Sequence, residues 1–571
     1  MNRTIRRRET GASLALPGDL HPLLRRLYAN RGVNEADDLD LGLARLIPVS
    51  RLGGVDAAVE LLCEHFRCGS RIVVVGDFDA DGATSTALVV RQLRRLGFEH
   101  VDFLVPNRFQ YGYGLTPEIV QLAAQGRPGL IVTVDNGISS HAGVLAATAL
   151  GIQTLITDHH LAPASVPAAH AIVNPNAPGD SFPSKALAGV GVAFYLMAAL
   201  SRTMQQRGLC SNPPAVADLL DLVALGTVAD LVPLDRNNRV LVHQGLRRIR
   251  AGRCVAGIRA LLEAANSIPG NVVAADLGFQ IGPRLNAAGR LDDMSIGIQC
   301  LLTDDPGAAR LLAARLTQLN SDRKELELQM QQEALLAIAD MRAEDPQLPL
   351  GLCLFDESWH QGVVGLVASR VKERVNRPVI ALARADANTL KGSARSIAGV
   401  HIRDVLDAVA TRHPGLIEKF GGHAMAAGLT LPAAGLETFQ AEFDAEVRRW
   451  MSVDDTIGVV HSDGVLQQDE LTLDVARLLQ QAGPWGQSFP EPLFDGCFDV
   501  RNVRILGERH LKLEVRAGGA SCEAIAFRHF DHDDAPHVQA DSRVELAYRL
   551  DVNRFNGSER LQLVVEYLRV L

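Results

Sequence analysis

Short runs of apolar residues, many of them β-branched, alternate with helical patterns between about residues 50 and 173, and this alternation most constrains the fold. Segments between the runs, such as Ala83–Leu96 and Pro117–Ala124, space their apolar residues as a helix does. Continuous apolar strands separated by helices are typical of buried parallel sheets. The sequence therefore predicts an open α/β sheet, with strands at Arg71–Val75, Val101–Val105, Leu130–Val134, Gln153–Thr157 and Ala171–Val173.

Acidic and imidazole side chains follow three of these predicted strands. Their segments are Asp77-Phe78-Asp79-Ala80-Asp81, Asp135-Asn136-Gly137 and Asp158-His159-His160. In open α/β sheets the working residues lie just beyond the carboxyl ends of the strands, so these groups are expected to converge on one crevice. An aspartate at such a point, taken alone, more often caps the next helix or forms an Asx-turn.

The set of acids needs a different explanation from its single members. Two unit charges about 4 Å apart repel by roughly 4 kcal/mol at an effective dielectric near 20, and a bound cation removes that penalty. Oxygen and imidazole ligands without thiolates suit Mn²⁺, Mg²⁺ or a similar divalent ion. Several carboxylates can hold two ions about 3.5–4 Å apart, the arrangement that clamps a phosphoryl group during hydrolysis. The sequence predicts two divalent metal ions, Mn²⁺ or Mg²⁺.

A fourth acidic element lies in the apolar segment Asp218–Asp235. Asp230 is followed by Leu231-Val232-Pro233, so it is expected to end a helix with its carboxylate available. Asp221 in the same helix is the rival candidate for a metal ligand.

Composition excludes some classes of protein. The 571 residues are too many for a single hydrophobic core, so several domains are expected. A formal net charge of −9 is neutral on nucleic-acid binding, because basic faces can exist within an acidic total. Eight scattered cysteines indicate a reducing compartment, and no apolar run is long enough for a membrane span. We expect a soluble, cytoplasmic protein.

The remainder of the chain predicts further parts. Residues 187–302 are mainly helical, and Asp305–Met341 is one long helical pattern, expected to connect two domains. A second α/β unit follows, with strands near residues 351–355, 379–383 and 391–395. Five short strands after residue 493 favour a small barrel such as an OB-fold, although an SH3-like barrel or a sandwich would have a similar pattern.

The acidic motifs DFDADG, DNG, DHH and GTVAD, in this order, resemble those of the DHH phosphoesterase superfamily. FGGHAMAAG at Phe420–Gly428 resembles the companion domain named DHHA1. The segments HPLLRRLYANRGV, NRFQYGYGL, IGPRLNAAGRL, WHQGVVGLVASRVKER and PWGQSFPEPLF extend the resemblance over nearly the whole chain, to the bacterial RecJ family of single-strand-specific DNA exonucleases. GGH and DHH alone would be shared with other branches of the superfamily.

The resemblance implies roles for the acids and histidines. Asp135 would bridge two ions, Asp77 would be a weaker ligand, and Asp158 would orient His159 rather than bind metal. His160 would contact the scissile phosphate or donate a proton, and the division of roles among Asp77, Asp158 and His160 stays open. The implied metal ligands are Asp77, Asp79, Asp81, Asp135, His159 and Asp230; the implied catalytic residues are Asp135, Asp158 and His160.

Further residues are candidates for contacts with phosphates and bases. Three of them have an ordinary alternative: Arg108 and Tyr111 would lie in a surface loop at residues 107–114, and His423 would be a core histidine. Gly421, Gly422 and His423 are expected to form a loop whose free amides accept an anion, and the run Arg6-Arg7-Arg8 is expected to be a solvated tail. The candidates are Arg108, Tyr111, Arg284, Arg290, Ser393, Arg395, Gly422 and His423.

The resulting expectation is a multidomain α/β protein. Its parts are an N-terminal segment packing on the core (1–50), a parallel-sheet DHH catalytic domain (51–304), a long connecting helix (305–343), a smaller α/β DHHA1 substrate-binding domain (344–450), and a linker with an OB-like β-barrel that binds single strands (451–571).

The resemblance implies a 5′→3′ exonuclease that hydrolyses single-stranded DNA to 5′-mononucleotides in recombination and repair. Implied partners are single-stranded DNA, a single-stranded-DNA-binding protein and a RecQ-type helicase, with the enzyme itself a monomer. The first alternative is a phosphodiesterase acting on short oligonucleotides or cyclic dinucleotides, and the second is a non-catalytic scaffold for single strands.

Overall fold

The computed structural model describes residues 3–9, 16–107, 113–344, 348–517, 520–531, 535–555 and 558–571. The chain divides into two compact units. One comprises Met1–Arg8, Ser321–Leu471 and Leu493–Leu571, and the other comprises Glu9–Asn320 and Thr472–Pro492. Within the described helices, none is long and apolar enough to cross a membrane.

The strands alternate with helices in the first half of the chain and follow one another near its end. In chain order they are β1 (Arg3–Arg7), β2 (Ile72–Gly76), β3 (Val101–Leu104), β4 (Leu130–Val134), β5 (Gln153–Thr157), β6 (Ala171–Val173), β7 (Leu352–Phe355), β8 (Val379–Arg384), β9 (Thr389–Arg395), β10 (Lys419–Gly422), β11 (Ala426–Pro432), β12 (Gly458–Ser462), β13 (Phe494–Leu506), β14 (His510–Ala517), β15 (Ala520–Ala526), β16 (Arg543–Phe555) and β17 (Ser558–Val570).

The helices are α1 (Pro22–Ala29), α2 (Val55–Arg67), α3 (Ala80–Arg95), α4 (Pro117–Ala124), α5 (His141–Ala149), α6 (Gly189–Gln206), α7 (Leu220–Ala229), α8 (Arg236–Arg250), α9 (Ala256–Ala264), α10 (Ala274–Asp276), α11 (Gly282–Leu291), α12 (Ser295–Leu302), α13 (Pro306–Glu344), α14 (Val364–Val375), α15 (Ile402–Arg412), α16 (Leu436–Val447) and α17 (Leu473–Gln481). A π-helical segment, Leu277–Ile281, joins α10 to α11. The long helix expected over Asp305–Met341 is α13.

The parallel sheet expected from the sequence is present in the unit containing residues 9–320. Its strand order is β3-β2-β4-β5-β6, and every pairing is parallel. Gly76 pairs with Val134, and Val134 pairs with Thr157, so β2, β4 and β5 end at the same level. The residues that follow these three strands are therefore brought together at one edge of the sheet.

Helices cover both faces of this sheet. Buried side chains of β2 and β4, such as Val73 and Ile131, share a core with Ile119 of α4 and Val144 of α5. Helix α3 packs against α6, α7 and α12, and its residues from Ala80 to Leu93 are all buried. A helix buried on all sides holds its first turn firmly, and that turn carries two of the acids.

The other unit contains a mixed sheet of order β10-β11-β9-β8-β7. Only β7 and β8 are parallel. The prediction of a loop with free amides at Gly421–His423 is wrong. Gly421 and Gly422 pair with β11, and the backbone N–H of His423 donates to Ala426 O at 2.8 Å. A Cβ at Gly422 would lie 2.4 Å from Ala426 O, so this glycine allows a tight hairpin.

The C-terminal strands form a closed barrel in the order β13-β14-β15-β17-β16. This arrangement confirms the expected OB-like barrel. The expectation that Arg6-Arg7-Arg8 is a solvated tail is wrong, because β1 pairs in parallel with β12. Arg7 donates from Nη2 to Asp495 Oδ2 at 2.7 Å, so a buried carboxylate in the barrel binds this arginine.

Candidate metal centre

Seven acidic and imidazole side chains meet at the carboxyl ends of β2, β4 and β5. Their possible ligand atoms form three groups, and within each group the atoms lie within 4.8 Å of one another. The groups are defined by protein atoms alone. The groups are Asp77, Asp79 and Asp135; Asp81, His159 and Asp230; and Asp135, His159 and His160.

Asp135 connects these groups. It follows β4 directly and has a φ of 62°, a left-handed conformation that residues other than glycine seldom adopt. Its backbone N–H donates to Thr157 O at 3.0 Å, and its carboxylate Oδ1 lies 3.1 Å from Nε2 of His159. The left-handed backbone at Asp135 turns its carboxylate into the crevice. There the carboxylate belongs to two of the three ligand groups.

The first turn of α3 positions two more carboxylates. Asp79 is the N-cap residue, and its Oδ1 accepts from the N–H of Gly82 at 3.0 Å. Asp81 accepts through both oxygens from the first turn of α6, with Gly189 N at 2.6 Å and Val190 N at 3.0 Å. Asp79 therefore fills the capping role that is ordinary for a single aspartate, yet it also belongs to a ligand group.

Helix α7 contributes Asp230, which follows its last residue. Its Oδ2 lies 3.6 Å from His159 Nε2, and Leu231 next to it adopts a φ of 60°. Asp221, the rival candidate, lies at the other end of α7, where its Oδ2 accepts from Val255 N at 2.7 Å. Among the described residues, only Asp230 of this pair belongs to a ligand group.

Asp158 has a different task from the one expected. Its Oδ1 accepts from Nδ1 of His160 at 2.7 Å and from the backbone N–H of His159 at 2.7 Å, while Oδ2 accepts from Ile138 N at 2.9 Å. The expectation that Asp158 orients the ring of His159 is therefore wrong. It orients His160, because the chain turns directly after Asp158 and brings that ring back over the carboxylate.

The buried carboxylates of the site favour the binding of cations. Burial first, and then the charge of Asp79, raise the pKa of Asp81 to about 7. Burial and the surrounding carboxylates also raise the pKa values of Asp135 and Asp230 well above their usual range. Ionising all of these groups together is therefore unfavourable without a compensating positive charge. Hard oxygen donors with one imidazole match Mn²⁺ or Mg²⁺, so the residues fit the predicted type of metal site.

Asn136 and Gly189 were not predicted from the sequence as parts of the site, and Tyr113 was expected only as a member of the loop at residues 107–114. The hydroxyl of Tyr113 donates to Asp135 O at 3.3 Å, and its ring lies edge-on to His160 at 5.9 Å. Asn136 Nδ2 donates to Val75 O and Val134 O, which ties the ends of β2 and β4 together. A Cβ at Gly189 would lie 2.7 Å from Cβ of Asp135, so this glycine makes room for that carboxylate. The arginine and the two tyrosines of NRFQYGYGL are the sequence signal for this loop.

The predicted phosphate contacts have varied surroundings. Arg108 and Tyr111 lie outside the described residues. Arg284 donates from Nη1 to Gln280 O at 2.5 Å and from Nε to Thr317 Oγ1 at 3.2 Å, while Arg290 lies in the last turn of α11.

The remaining candidates belong to the other unit. Ser393 and Arg395 share one face of β9, and Arg395 donates to Ser393 Oγ at 2.7 Å. His423 is exposed, so its ordinary reading as a core histidine is wrong.

We expect the substitution Gly189→Ala to weaken Mn²⁺ binding at least about tenfold, which corresponds to about 1.4 kcal/mol. The added methyl group would stand 2.7 Å from Cβ and 2.8 Å from Oδ1 of Asp135, so the carboxylate must move. Calorimetric titration of metal-stripped protein with MnCl₂ measures the change. Gly126→Ala is the matched control, because its Cβ would meet no atom closer than 3.5 Å. Unchanged affinity in a normally folded Gly189→Ala protein would contradict this role.

The stabilising effect of Mn²⁺ should increase with pH. The pKa of Asp81 is about 7 in the folded protein, above an unfolded value near 3.8. The metal-free fold therefore holds a proton more tightly than the unfolded chain, and this contribution to stability is lost as pH rises towards 7. Added Mn²⁺ replaces the proton, so the rise in melting temperature should be larger at pH 8 than at pH 6. Thermal melts with chelator or MnCl₂ test this, and an equal rise at both pH values would refute it.

Comparison with known proteins agrees with this geometry. The family model "DHH family, N-terminal domain" matches residues 71–227, the DHHA1 domain matches residues 349–449, and the RecJ OB domain matches residues 462–567. The single-stranded-DNA-specific exonuclease RecJ of Salmonella typhimurium is 54% identical over 99% of this chain and 98% of its own length. The protein of the same name from Escherichia coli is 54% identical, over 98% of each chain.

Solved structures show the same similarity. The crystal structure of RecJ in complex with Mn²⁺ from Thermus thermophilus matches with a TM-score of 0.79 and 32% identity, over 97% of this chain and 78% of that one. The Mg²⁺ complex from the same organism matches with a TM-score of 0.74 and 31% identity, over 97% and 77%. The similarity in sequence and the similarity in fold thus both extend over almost the entire length of this chain. The chain belongs to the RecJ family of single-stranded-DNA-specific exonucleases.

Proposed function

We propose that the protein is a metal-dependent exonuclease that hydrolyses single-stranded DNA from its 5′ end, releasing 5′-mononucleotides during recombination and repair. The observation that carries this proposal is the convergence of the three ligand groups at the ends of β2, β4 and β5. Membership of the RecJ family supports the choice of substrate, because the relatives that are 54% identical are named for single-stranded DNA.

The arrangement of donors favours two divalent ions. Asp77, Asp79 and Asp135 would hold one ion, and Asp81, His159 and Asp230 would hold the other. Asp135 would be shared, because its Oδ1 lies 3.1 Å from Nε2 of His159. When bound, such ions polarise a phosphodiester and lower the pKa of a water molecule. The protein keeps these carboxylates away from bulk solvent. Electrostatic interactions are stronger in this buried environment than in water.

His160 would bind the scissile phosphate through its second ring nitrogen. Its Nδ1 is held by Asp158 at 2.7 Å, and Nε2, which lies 3.4 Å from the Tyr113 hydroxyl, would donate to a phosphate oxygen. Burial alone would lower the pKa of His160, but the hydrogen bond and charge of Asp158 raise it to about 9. Burial raises the pKa of Asp158, but the hydrogen bond and charge of His160, the charge of His159 and the backbone N–H of Ile138 together hold it below its usual value. The pair therefore presents a fixed cation at neutral pH.

Contacts with single-stranded DNA are proposed for each unit separately. Arg108, Tyr111, Arg284 and Arg290 are proposed to contact phosphates and bases of the strand. Ser393 and Arg395 are proposed to bind a backbone phosphate. A Cβ at Gly365, in the first turn of α14, would lie 2.9 Å from Arg395 Nη2 and 3.0 Å from Ser393 Oγ, so that turn approaches both side chains closely.

The compartment and the partners follow from the same proposal. All eight cysteines are free thiols, which supports a reducing, cytoplasmic location. The family membership supports a single-stranded-DNA-binding protein and a RecQ-type helicase as partners, with the enzyme acting as a monomer.

Oligonucleotides labelled at one end test the direction of hydrolysis. With MnCl₂ present, a 5′ label should appear first as a mononucleotide, and a 3′ label should remain in shortened strands until late. Chelator should abolish hydrolysis, and Asp135→Ala should slow it by at least about two orders of magnitude, since Asp135 lies in two ligand groups. Early release of the 3′ label would contradict the polarity. Cleavage of a cyclic dinucleotide but not of a long strand would favour the phosphodiesterase alternative instead.

The pH dependence of hydrolysis tests the role of His160. A pKa raised to about 9 means that the cation is present below that pH, so activity should fall as pH rises through 9. Asp158→Asn removes the cause of the rise, and we expect the alkaline limb of the profile to move down by at least about one pH unit. Asp102→Asn is the matched control, because Asp102 is an exposed acid on β3 that pairs with Arg71. An unmoved limb in Asp158→Asn would rule out this cation.

A further inference from the structure

A second strongly charged site lies in the same unit as the metal centre, in a cavity of about 530 Å³. Acidic residues Asp218, Glu263 and Asp304 also line it, so its arginines leave an excess of three positive charges in a chain whose total is −9. The volume lies in the range of small-molecule sites. The arginines are Arg91, Arg95, Arg248, Arg253, Arg259 and Arg310.

These arginines divide into those that build the cavity and those that are available to a ligand. Arg91 is buried and donates to Leu301 O at 2.9 Å and to Asp304 Oδ1 at 2.7 Å. Within the described residues, the exposed guanidinium groups of Arg95, Arg253 and Arg310 have no hydrogen bond or ion pair. The guanidinium groups that are available to a ligand therefore surround a part of the cavity that hydrogen bonds already hold in place.

The first turn of a helix and the side chain of an arginine add hydrogen-bond donors to the cavity. Helix α9 begins at Ala256, its N-cap Val255 offers no side-chain acceptor, and its first turn contains no acid. The first N–H groups of a helix lack partners within the helix, and its positive end favours anions. Arg248 donates from Nη2 to Asp218 at 2.7 Å, while its buried Nε has no hydrogen-bond partner. An anion in the cavity would satisfy these donors.

The cavity is separate from the metal centre. Arg91 comes ten residues after Asp81 in α3, which places it roughly 15 Å away along the helix. Asp221, at the cavity end of α7, comes nine residues before Asp230, or about 13 Å away along the chain. The two sites thus occupy opposite ends of the same pair of buried helices.

We propose that this cavity binds the di- or triphosphate group of a small molecule. Arginine is the side chain best suited to bind phosphate. The negative charges of two or three adjacent phosphates match the excess of three positive charges in the cavity. The lining contains no aromatic residue, so recognition would rest on phosphates and not on stacked bases. Inorganic pyrophosphate and the tail of a nucleoside triphosphate share this chemistry, and a single-stranded nucleic acid is the less favoured occupant.

Calorimetric titration of the full-length protein with inorganic pyrophosphate tests the proposal. Chelator is present throughout, so that the metal centre holds no ion and its acids repel the probe. We expect saturable binding that weakens at least about tenfold in Arg253→Ala/Arg310→Ala, because the variant removes two charged hydrogen-bond donors from the cavity. Arg202→Ala is the matched control, since Arg202 is exposed on α6 and lies outside the cavity. Titrations with ATP and dAMP then distinguish free polyphosphate from a nucleotide.

Several results would overturn the proposal. One is no saturable binding of pyrophosphate at millimolar concentration, and another is equal affinity in the double variant and the unchanged protein. A third is that a short oligonucleotide binds in chelator, loses affinity in the double variant, and is not displaced by pyrophosphate. Hydrolysis of single-stranded DNA should be retained by Arg253→Ala/Arg310→Ala. Because binding is measured without metal, its failure would be distinguishable from a failure of the exonuclease proposal.

Discussion

Three parallel strands end at the same level, and the carboxylates that follow them repel one another. The site depends on this repulsion. The pairing of Gly76 with Val134, and of Val134 with Thr157, leaves Asp77, Asp135 and Asp158 side by side. A shift of one residue in the register would move these groups out of line and reverse the faces of the strands. The apolar, continuous strands therefore do more than form a core, since they bring like charges together that would otherwise separate.

The protein compensates for only part of this repulsion. Asp81 accepts two backbone N–H groups, and Asp158 accepts three backbone N–H groups and a histidine. The pKa of Asp81 is nevertheless raised to about 7, and burial and neighbouring charges also raise the pKa values of Asp135 and Asp230. The protein thus stabilises the charge of Asp158, which positions His160, and it leaves the charges of Asp81, Asp135 and Asp230 for cations. This division explains why a metal-free fold would gain stability from protons.

Much of this fold was predictable because buried parallel strands have continuous apolar sequences with clear ends. The acids after β2, β4 and β5 were predictable for the same reason, since each comes directly after its strand. The hairpin β10–β11 was missed because Gly421 and Gly422 are typical of loops, and only pairing with β11 shows them as strand residues. The ring oriented by Asp158 was also missed, because spacing along a chain does not distinguish His159 from His160. Gly189 is 54 residues from Asp135, so no local pattern could connect them.

The direction of the helices explains why Asp230 in particular calls for a cation. Helix α3 places Asp79 and Asp81 at its positive end and Arg94 and Arg95 in its last turn, as the helix dipole favours. Helix α7 instead places Asp230 just past its last residue, where free carbonyl groups carry partial negative charge. A carboxylate there is opposed by the dipole as well as by the acids around it. A divalent ion near Asp230 would be attracted by both, so the helix dipole adds to the surrounding carboxylates as a reason for metal to bind at this acid.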